Sequence, residues 1–196
     1  MGKYSKYYLL TLVIVALDQF SKLLVVDNME LNSEFPVLGD WFYIHYLLNP
    51  GFIFGGQLNW EYGKILLTSF RLVAAVGIGY YLFYMAKRSA YSGLLWCLAL
   101  ILAGAIGNVI DSVFYGVLLG NAPPDAVTPW FNGQVVDMLY FPLFSGTYPE
   151  WVPIVGSDSF AFFRPVFNLA DSSIFLGVVF MLFLRKNISN AHQESE

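Results

Sequence analysis

The sequence predicts an all-α membrane fold, a bundle of four transmembrane helices, and three observations predict it. Of the 196 residues, 57% are hydrophobic and only 12% are charged, about half of the roughly 25% usual in a soluble domain. Mean hydropathy is +0.59. The apolar residues gather in runs near the length that crosses a bilayer core, about 20 residues in a helix, and lysine and arginine collect at one set of run ends. The whole chain, 1–196, reads as a single integral membrane domain without internal repeats.

The elements follow in order. Residues 7–26 form the first run. It lacks a small-x-small cleavage site and holds Asp18 and Lys22, so it is expected to be a spanning helix and not a signal peptide. Residues 28–62 follow as an outer segment. Within it, 41–48 (WFYIHYLL) is aromatic and partly β-branched, which favours a strand or an interfacial aromatic layer. The second and third spans are 63–86 and 92–115. The long outer loop 117–167 carries seven prolines (Pro123, Pro124, Pro129, Pro142, Pro149, Pro153 and Pro165), which disfavour long helices. Its Trp130, Trp151, Phe160, Phe162 and Phe163 suggest contact with the membrane surface. The fourth span, 168–184, is short but begins at an N-x-x-D helix cap. Lys3, Lys6, Lys87, Arg88, Arg185 and Lys186 flank one side of the membrane, whereas 28–62 has no basic residue and 117–167 only Arg164. The positive-inside rule then puts both termini in the cytoplasm.

Composition also excludes. A net charge of −4 without a basic patch argues against nucleic acid as a partner. A single cysteine, Cys97, rules out an intrachain disulfide and a cysteine-rich metal site. His45 lies among aromatics and His192 in a polar tail, which argues against a histidine-based zinc site; no metal and no cofactor are expected. Ser172 and Ser173 have no histidine base nearby, which disfavours a serine triad.

The polar residues inside this apolar chain share one depth. Asp18, Gln19 and Lys22 fall in the outer half of the first span, Asn108 and Asp111 in the outer half of the third, and Asn168 and Asp171 at the outer start of the fourth. Asp137, beside Val135, Val136, Met138 and Leu139, returns to the same interface. Ionisable groups in membrane are costly, and independent polar accidents would scatter through the bilayer, so the convergence predicts one site. Each residue also has a plainer reading. Asn168 and Asp171 fit a helix cap, Asp18 and Lys22 a structural pair four residues apart, and Asn108 a bond to a neighbouring helix, with Gly104 and Gly107 allowing close approach.

Five segments then match one family. LDQFSK at 17–22, NPGFIFG at 49–55, GAIGNVIDS at 104–112, VVDM at 135–138 and FNLADSSI at 167–174 resemble, in order, the motifs of the bacterial lipoprotein signal peptidases, the type II signal peptidases. The resemblance implies a four-helix membrane bundle with a small extracytoplasmic β-rich cradle, drawn here from part of 28–62, in the bacterial inner membrane with the active site near the outer leaflet. It implies an aspartic endopeptidase that cuts diacylglyceryl-modified prolipoproteins just before the lipid-bearing cysteine and is inhibited by globomycin-type cyclic peptides. It makes Asp137 and Asp171 the catalytic pair, with Asp18, Lys22, Asn49, Gly51, Asn108, Asp111, Asn168 and Ala170 shaping the site.

The chain departs from the family pattern twice. Ser112 stands where the family usually has arginine, and Arg71, about two turns into the second span, is expected to replace that cation by facing Asp111 or its neighbours. Snorkelling to the interface is the other reading of Arg71. Residues 117–132 form a proline-containing insertion, read as a lid or a partner surface. In the expected chemistry Asp171, at a helix N-terminus, is ionised and Asp137 holds the shared proton. Two other classes compete: a proton-coupled transporter or channel, whose relay would cross the bilayer and carry ion flux, and a noncatalytic assembly subunit, which would tolerate Asp→Asn at either position.

Overall fold

The computed structural model describes residues 4–51, 62–142, 144–147, 159–162 and 165–193. Lys3, residues 52–55 of the NPGFIFG run, Pro149, Trp151, Pro153, Phe163 and Arg164 lie outside the described residues. The helices are α1 (Ser5–Asn28), α2 (Gly63–Lys87), α3 (Ser92–Ile110) and α4 (Leu169–Gln193). A π-helical turn, Asp111–Tyr115, and a short helical end, Gly116–Leu118, continue α3. Among the described residues three helices are long and apolar enough to cross a membrane: Ser5–Asn28, Gly63–Lys87 and Ser92–Leu118.

α3 is the centre of the bundle and packs against α1, α2 and α4. Its small residues let neighbours come close. A Cβ placed on Gly104 would lie 2.1 Å from the Ala170 carbonyl oxygen of α4, and one on Gly107 would lie 2.7 Å from Asp18 Oδ2 of α1. Hydroxyls pin the same contacts: Thr11 Oγ1 donates to Ala99 O (3.0 Å) and Ser173 Oγ to Leu100 O (2.7 Å). α1 turns one stripe inward, Tyr7, Thr11, Asp18, Lys22 and Val25, at helical spacing. Leu12, Phe20, Val73, Val76 and Phe183 point outward and are more than half exposed, a surface suited to lipid. Tyr7, Leu82, Leu94, Leu95, Leu98 and Leu102 fill the core at one end of the bundle, where Cys97 is also buried.

A four-stranded antiparallel sheet closes the other end, in the order β1 (Glu34–Leu38), β2 (Phe42–Asn49), β3 (Val135–Tyr140), β6 (Val166–Phe167). A separate two-stranded sheet pairs β4 (Phe144–Thr147) with β5 (Ser159–Phe162). The stretch 117–167, read from sequence as a long loop, thus contributes four of the six strands. The cause of the misreading is burial. β3 is enclosed on both faces, so VVDMLY lacks the polar alternation that marks a half-buried strand. The aromatic run 41–48 is both things expected of it. It forms β2, and Trp41, Phe42, Phe141 and Phe167 make an aromatic layer in which Phe42 and Phe141 stack at 4.7 Å. His45 is a cross-strand partner of Glu34 (Nδ1 to Oε1, 3.1 Å).

The connection from α3 to β3, including the 117–132 insertion, folds back on the π-helical turn. Phe131 N donates to Val113 O (3.3 Å) and Gly133 N to Ser112 O (3.0 Å), so carbonyls of the π turn gain acceptor bonds. Asn121 and Gln134 exchange three further bonds across the base of the connection.

The α3–α4 contact gives a direct stability test. Gly104→Ala should cost about 1–3 kcal/mol, because its methyl meets backbone that cannot rotate away. A methyl added at Gly77 would have nothing within 4 Å, so Gly77→Ala should be neutral or stabilising by about 0.5–1 kcal/mol. Thermal melts of both variants in detergent check the pair.

Candidate active site

Lys22 comes first, because it is a cation with no exposure in the described structure. Its Nζ lies 2.8 Å from Asp18 Oδ2 and 2.7 Å from Asp111 Oδ2, and all three side chains are shut off from solvent. Helical spacing brings Asp18 and Lys22 to one face of α1, and packing of α1 on α3 adds Asp111. The carboxylates have further partners. Asp18 Oδ1 accepts from Ala170 N (2.9 Å), and Asp111 Oδ2 also accepts from Val136 N (3.2 Å). Ala170 and Val136 are the residues immediately before Asp171 and Asp137. The ion triad therefore grips the backbone beside each of the two remaining aspartates.

Those two aspartates arrive from different elements. Asp137 sits on β3, opposite Leu47, and is 1% exposed. Asp171 lies in the first turn of α4, where its backbone N–H donates to Asn168 Oδ1 (2.9 Å); Asn168 is thus the helix cap that its spacing suggested. Asparagines link the carboxylates. Asn168 Nδ2 donates to Asp137 Oδ1 (2.8 Å) and to Asn108 Oδ1 (3.2 Å), and Asn108 Nδ2 donates to Asp171 Oδ1 (2.7 Å). Asn49, on β2 diagonal to Asp137, donates to Asp137 Oδ2 (2.9 Å). Burial, and then the negative charge of Asp171, push the Asp137 carboxyl up to about 7, against the weaker pull of its asparagine donors.

Gly51 completes the turn after β2. Its N–H donates to Asn49 Oδ1 (2.8 Å), and its φ of +80° suits a residue without Cβ. Arg71 of α2 packs on that glycine: a Cβ there would be 2.9 Å from Arg71 Nη2. Arg71 Nη1 donates to Ser112 Oγ (3.3 Å), next to Asp111, so the guanidinium reaches the position at which the sequence lacks an arginine. Lys64 of α2 donates to Pro50 O of the same turn.

All eleven residues singled out from the sequence therefore meet in one region around Asn168. Ala170 contributes a backbone N–H and a small side chain close to Gly107. Sequence reading gave no site role to Gln19, whose amide donates to Asp111 Oδ1 (2.9 Å) and accepts from the Tyr115 hydroxyl (2.9 Å). Its place in LDQFSK, beside Asp18, was the available signal. Lys64 and Tyr115 carried none. Among the described residues no group of three His, Cys, Asp or Glu side chains is placed to hold a metal ion.

Lys22→Met tests the triad. It leaves two buried carboxylates facing each other, and the expected loss is about 3–5 kcal/mol of stability. Adding Asp111→Asn to that variant should recover part of the loss in a thermal melt. A variant as stable as wild type would remove the triad as an anchor.

The model of the signal peptidase (SPase) II family matches residues 10–185. A lipoprotein signal peptidase of Amoebophilus asiaticus is 46% identical over 183 residues, covering 92% of this chain and 77% of that protein. One from Porphyromonas gingivalis is 40% identical over 186 residues, covering 88% and 79%. A solved bacterial membrane enzyme superposes with a TM-score of 0.60 at 25% identity, over 96% of this chain and 92% of its own. Matched in sequence and in fold over nearly its whole length, the chain belongs to the signal peptidase II family.

Proposed function

We propose that this chain removes signal peptides from diacylglyceryl-modified prolipoproteins, cutting just before the lipid-bearing cysteine, with Asp137 and Asp171 as its catalytic pair. The observation that carries the reading is the asparagine bridge. Asn168 and Asn108 bond to each other while one holds Asp137 and the other Asp171, so two carboxylates from separate elements are tied into one unit. Neither is paired with a cation among the described residues. Two such groups do not ionise together readily, and one proton stays with the pair.

That proton defines the roles. Asp171, at the N-terminus of α4 where the helix dipole favours an anion, is the ionised member. It takes a proton from water as the water attacks the scissile carbonyl. Asp137 carries the shared proton, polarises the carbonyl oxygen and then delivers a proton to the leaving nitrogen. Asn49 and Asn168 hold both oxygens of Asp137, and Asn108 orients Asp171. No covalent intermediate is needed.

The site suits a lipid-anchored substrate. We place the sheet at the outer face and both termini in the cytoplasm of a bacterial inner membrane, because Lys6, Lys87, Arg88, Arg185 and Lys186 flank the helix ends away from the sheet. α4 then serves as a fourth span. At this depth the acyl chains of the substrate stay in the outer leaflet while its scissile bond reaches the aspartates. Membrane lipid and globomycin-type cyclic peptides are the other expected partners. A transmembrane proton relay fits less well, since the inner half of the bundle is a core of Leu, Ala and Tyr.

Purified wild type, Asp137→Asn and Asp171→Asn, mixed with a diacylglyceryl-modified prolipoprotein, test the reading by gel shift. Wild type should release the signal peptide, a globomycin-type peptide should block it, and each folded variant should lose at least about a hundredfold in rate, as expected when an acid or base is removed. Full cleavage by either variant would exclude the pair. The pH profile is a second test. With the Asp137 carboxyl near 7 and the proton required, kcat/KM should fall as pH rises through that value. A flat profile to about pH 9 would contradict the assignment of the proton.

A further inference from the structure

Among the described residues Arg71 uses little of its hydrogen-bonding capacity. A guanidinium has five N–H donors, and the bond from Nη1 to Ser112 Oγ (3.3 Å) occupies one. Arg71 forms no ion pair among the described residues. No other side-chain hydrogen bond of Arg71 is made among the described residues, and the side chain is half-buried, not enclosed.

Two contacts fix where the guanidinium sits. Gly51 backs the guanidinium from one side, with a Cβ there 2.9 Å from Nη2 and 3.1 Å from Nη1. On the other side Ser112 Oγ, its hydrogen-bond partner, donates to Asn108 O (2.9 Å), and the Asn108 amide holds Asp171 Oδ1 (2.7 Å). The guanidinium therefore lies against the residues that hold Asp137 and Asp171, and among the described residues it is bonded to neither aspartate. Lys22, which does have a structural task, sits in direct contact with two carboxylates. The turn that seats Arg71 is also tied to the chemistry, because Asn49 bonds to both Gly51 N and Asp137.

We propose that Arg71 is a substrate-binding residue whose open donors take a carbonyl oxygen of the lipopeptide beside the Asp137–Asp171 pair. This rests on the peptidase reading above. A neutral carbonyl is the fitting acceptor, since it gains a charge-assisted hydrogen bond without adding a further anion next to the pair. The substrate offers such oxygens in its peptide backbone and in the ester groups of its diacylglyceryl moiety.

Steady-state kinetics of wild type, Arg71→Lys and Arg71→Gln on two substrates, ester-linked and ether-linked, test the inference. The ether-linked lipid lacks the ester carbonyl. Arg71→Gln should lower kcat/KM by about ten- to a hundredfold, mainly through KM, as loss of a hydrogen bond from a charged donor predicts. Arg71→Lys, which keeps the charge but not the fork, should fall between, and the alkaline limb of the pH profile should stay in place. A loss equal on both substrates assigns the peptide carbonyl; a loss confined to the ester-linked one assigns the lipid. Arg71→Gln as efficient as wild type would overturn the inference. So would a defect that consists of a shifted pH limb and is fully restored by Arg71→Lys, since the charge alone would then suffice. Folding is checked by melting temperature, and Arg71→Lys carries the test if Arg71→Gln does not fold. Wild type that fails to cleave would instead overturn the peptidase reading.

Discussion

Lys22 is held between Asp18 and Asp111 with no solvent reaching any of the three. Removing charges from water costs several kcal/mol per ion, and geometry and extra hydrogen bonds must return most of that. One cation facing two anions leaves a surplus negative charge, which here is met by the N–H groups of Ala170 and Val136. Those donors lie one residue ahead of Asp171 and Asp137. The requirement that the triad be fully bonded thus fixes the backbone beside both Asp137 and Asp171. It also draws α1, α3, β3 and α4 to a single point.

Because the triad occupies Lys22, no cation among the described residues is left in an ion pair with Asp137 or Asp171. Asparagine performs the linking in its place. An amide donates and accepts without net charge, so Asn49, Asn108 and Asn168 can orient the carboxylates without placing a cation beside them. A lysine in contact with Asp137 would favour its ionised form. Burial beside Asp171 instead raises that carboxyl to about 7, into the range where a carboxylic acid serves as a proton donor at neutral pH. Asp18 and Asp111 are thus ion-paired, and Asp137 and Asp171 are held by neutral amides in the same polar cluster.

The non-helical parts serve the same geometry. The sheet supplies a rigid strand for Asp137 and, through β2, the turn bearing Asn49 and Gly51. The π-helical turn begins at Asp111, and the returning connection bonds to its carbonyls through Phe131 and Gly133. Thr68 of α2 donates to Phe131 O (2.8 Å), so the insertion is also fastened to the helix that carries Arg71. Its inner edge is therefore a structural brace between α2 and α3.

Much of the helical frame was legible in the sequence, because a membrane helix satisfies its own backbone and advertises itself as an unbroken apolar run. The expected runs 7–26, 63–86, 92–115 and 168–184 all coincide with described helices, the last after its cap Asn168. The polar residues were legible for the same reason: Asp18, Lys22, Asn108, Asp111 and Asp171 stand out against an apolar background that has no other use for them. β3 was not, since a strand buried on both faces looks like any short apolar run, and its partners β2 and β6 are far away in sequence. Pairing was equally hidden. Spacing put Lys22 opposite Asp18, but only helix packing added Asp111 as its second partner, and only the close approach allowed by Gly107 brought Ala170 onto Asp18. Arg71 could be named as an unusual cation, yet its contact with Ser112 depends on where α2 crosses α3. Sequence by itself determined which residues are too polar for their surroundings. The tertiary structure alone decided which of them pair as ions and which are held by asparagine amides, because that choice turns on distances of a few ångströms between elements that local sequence does not encode.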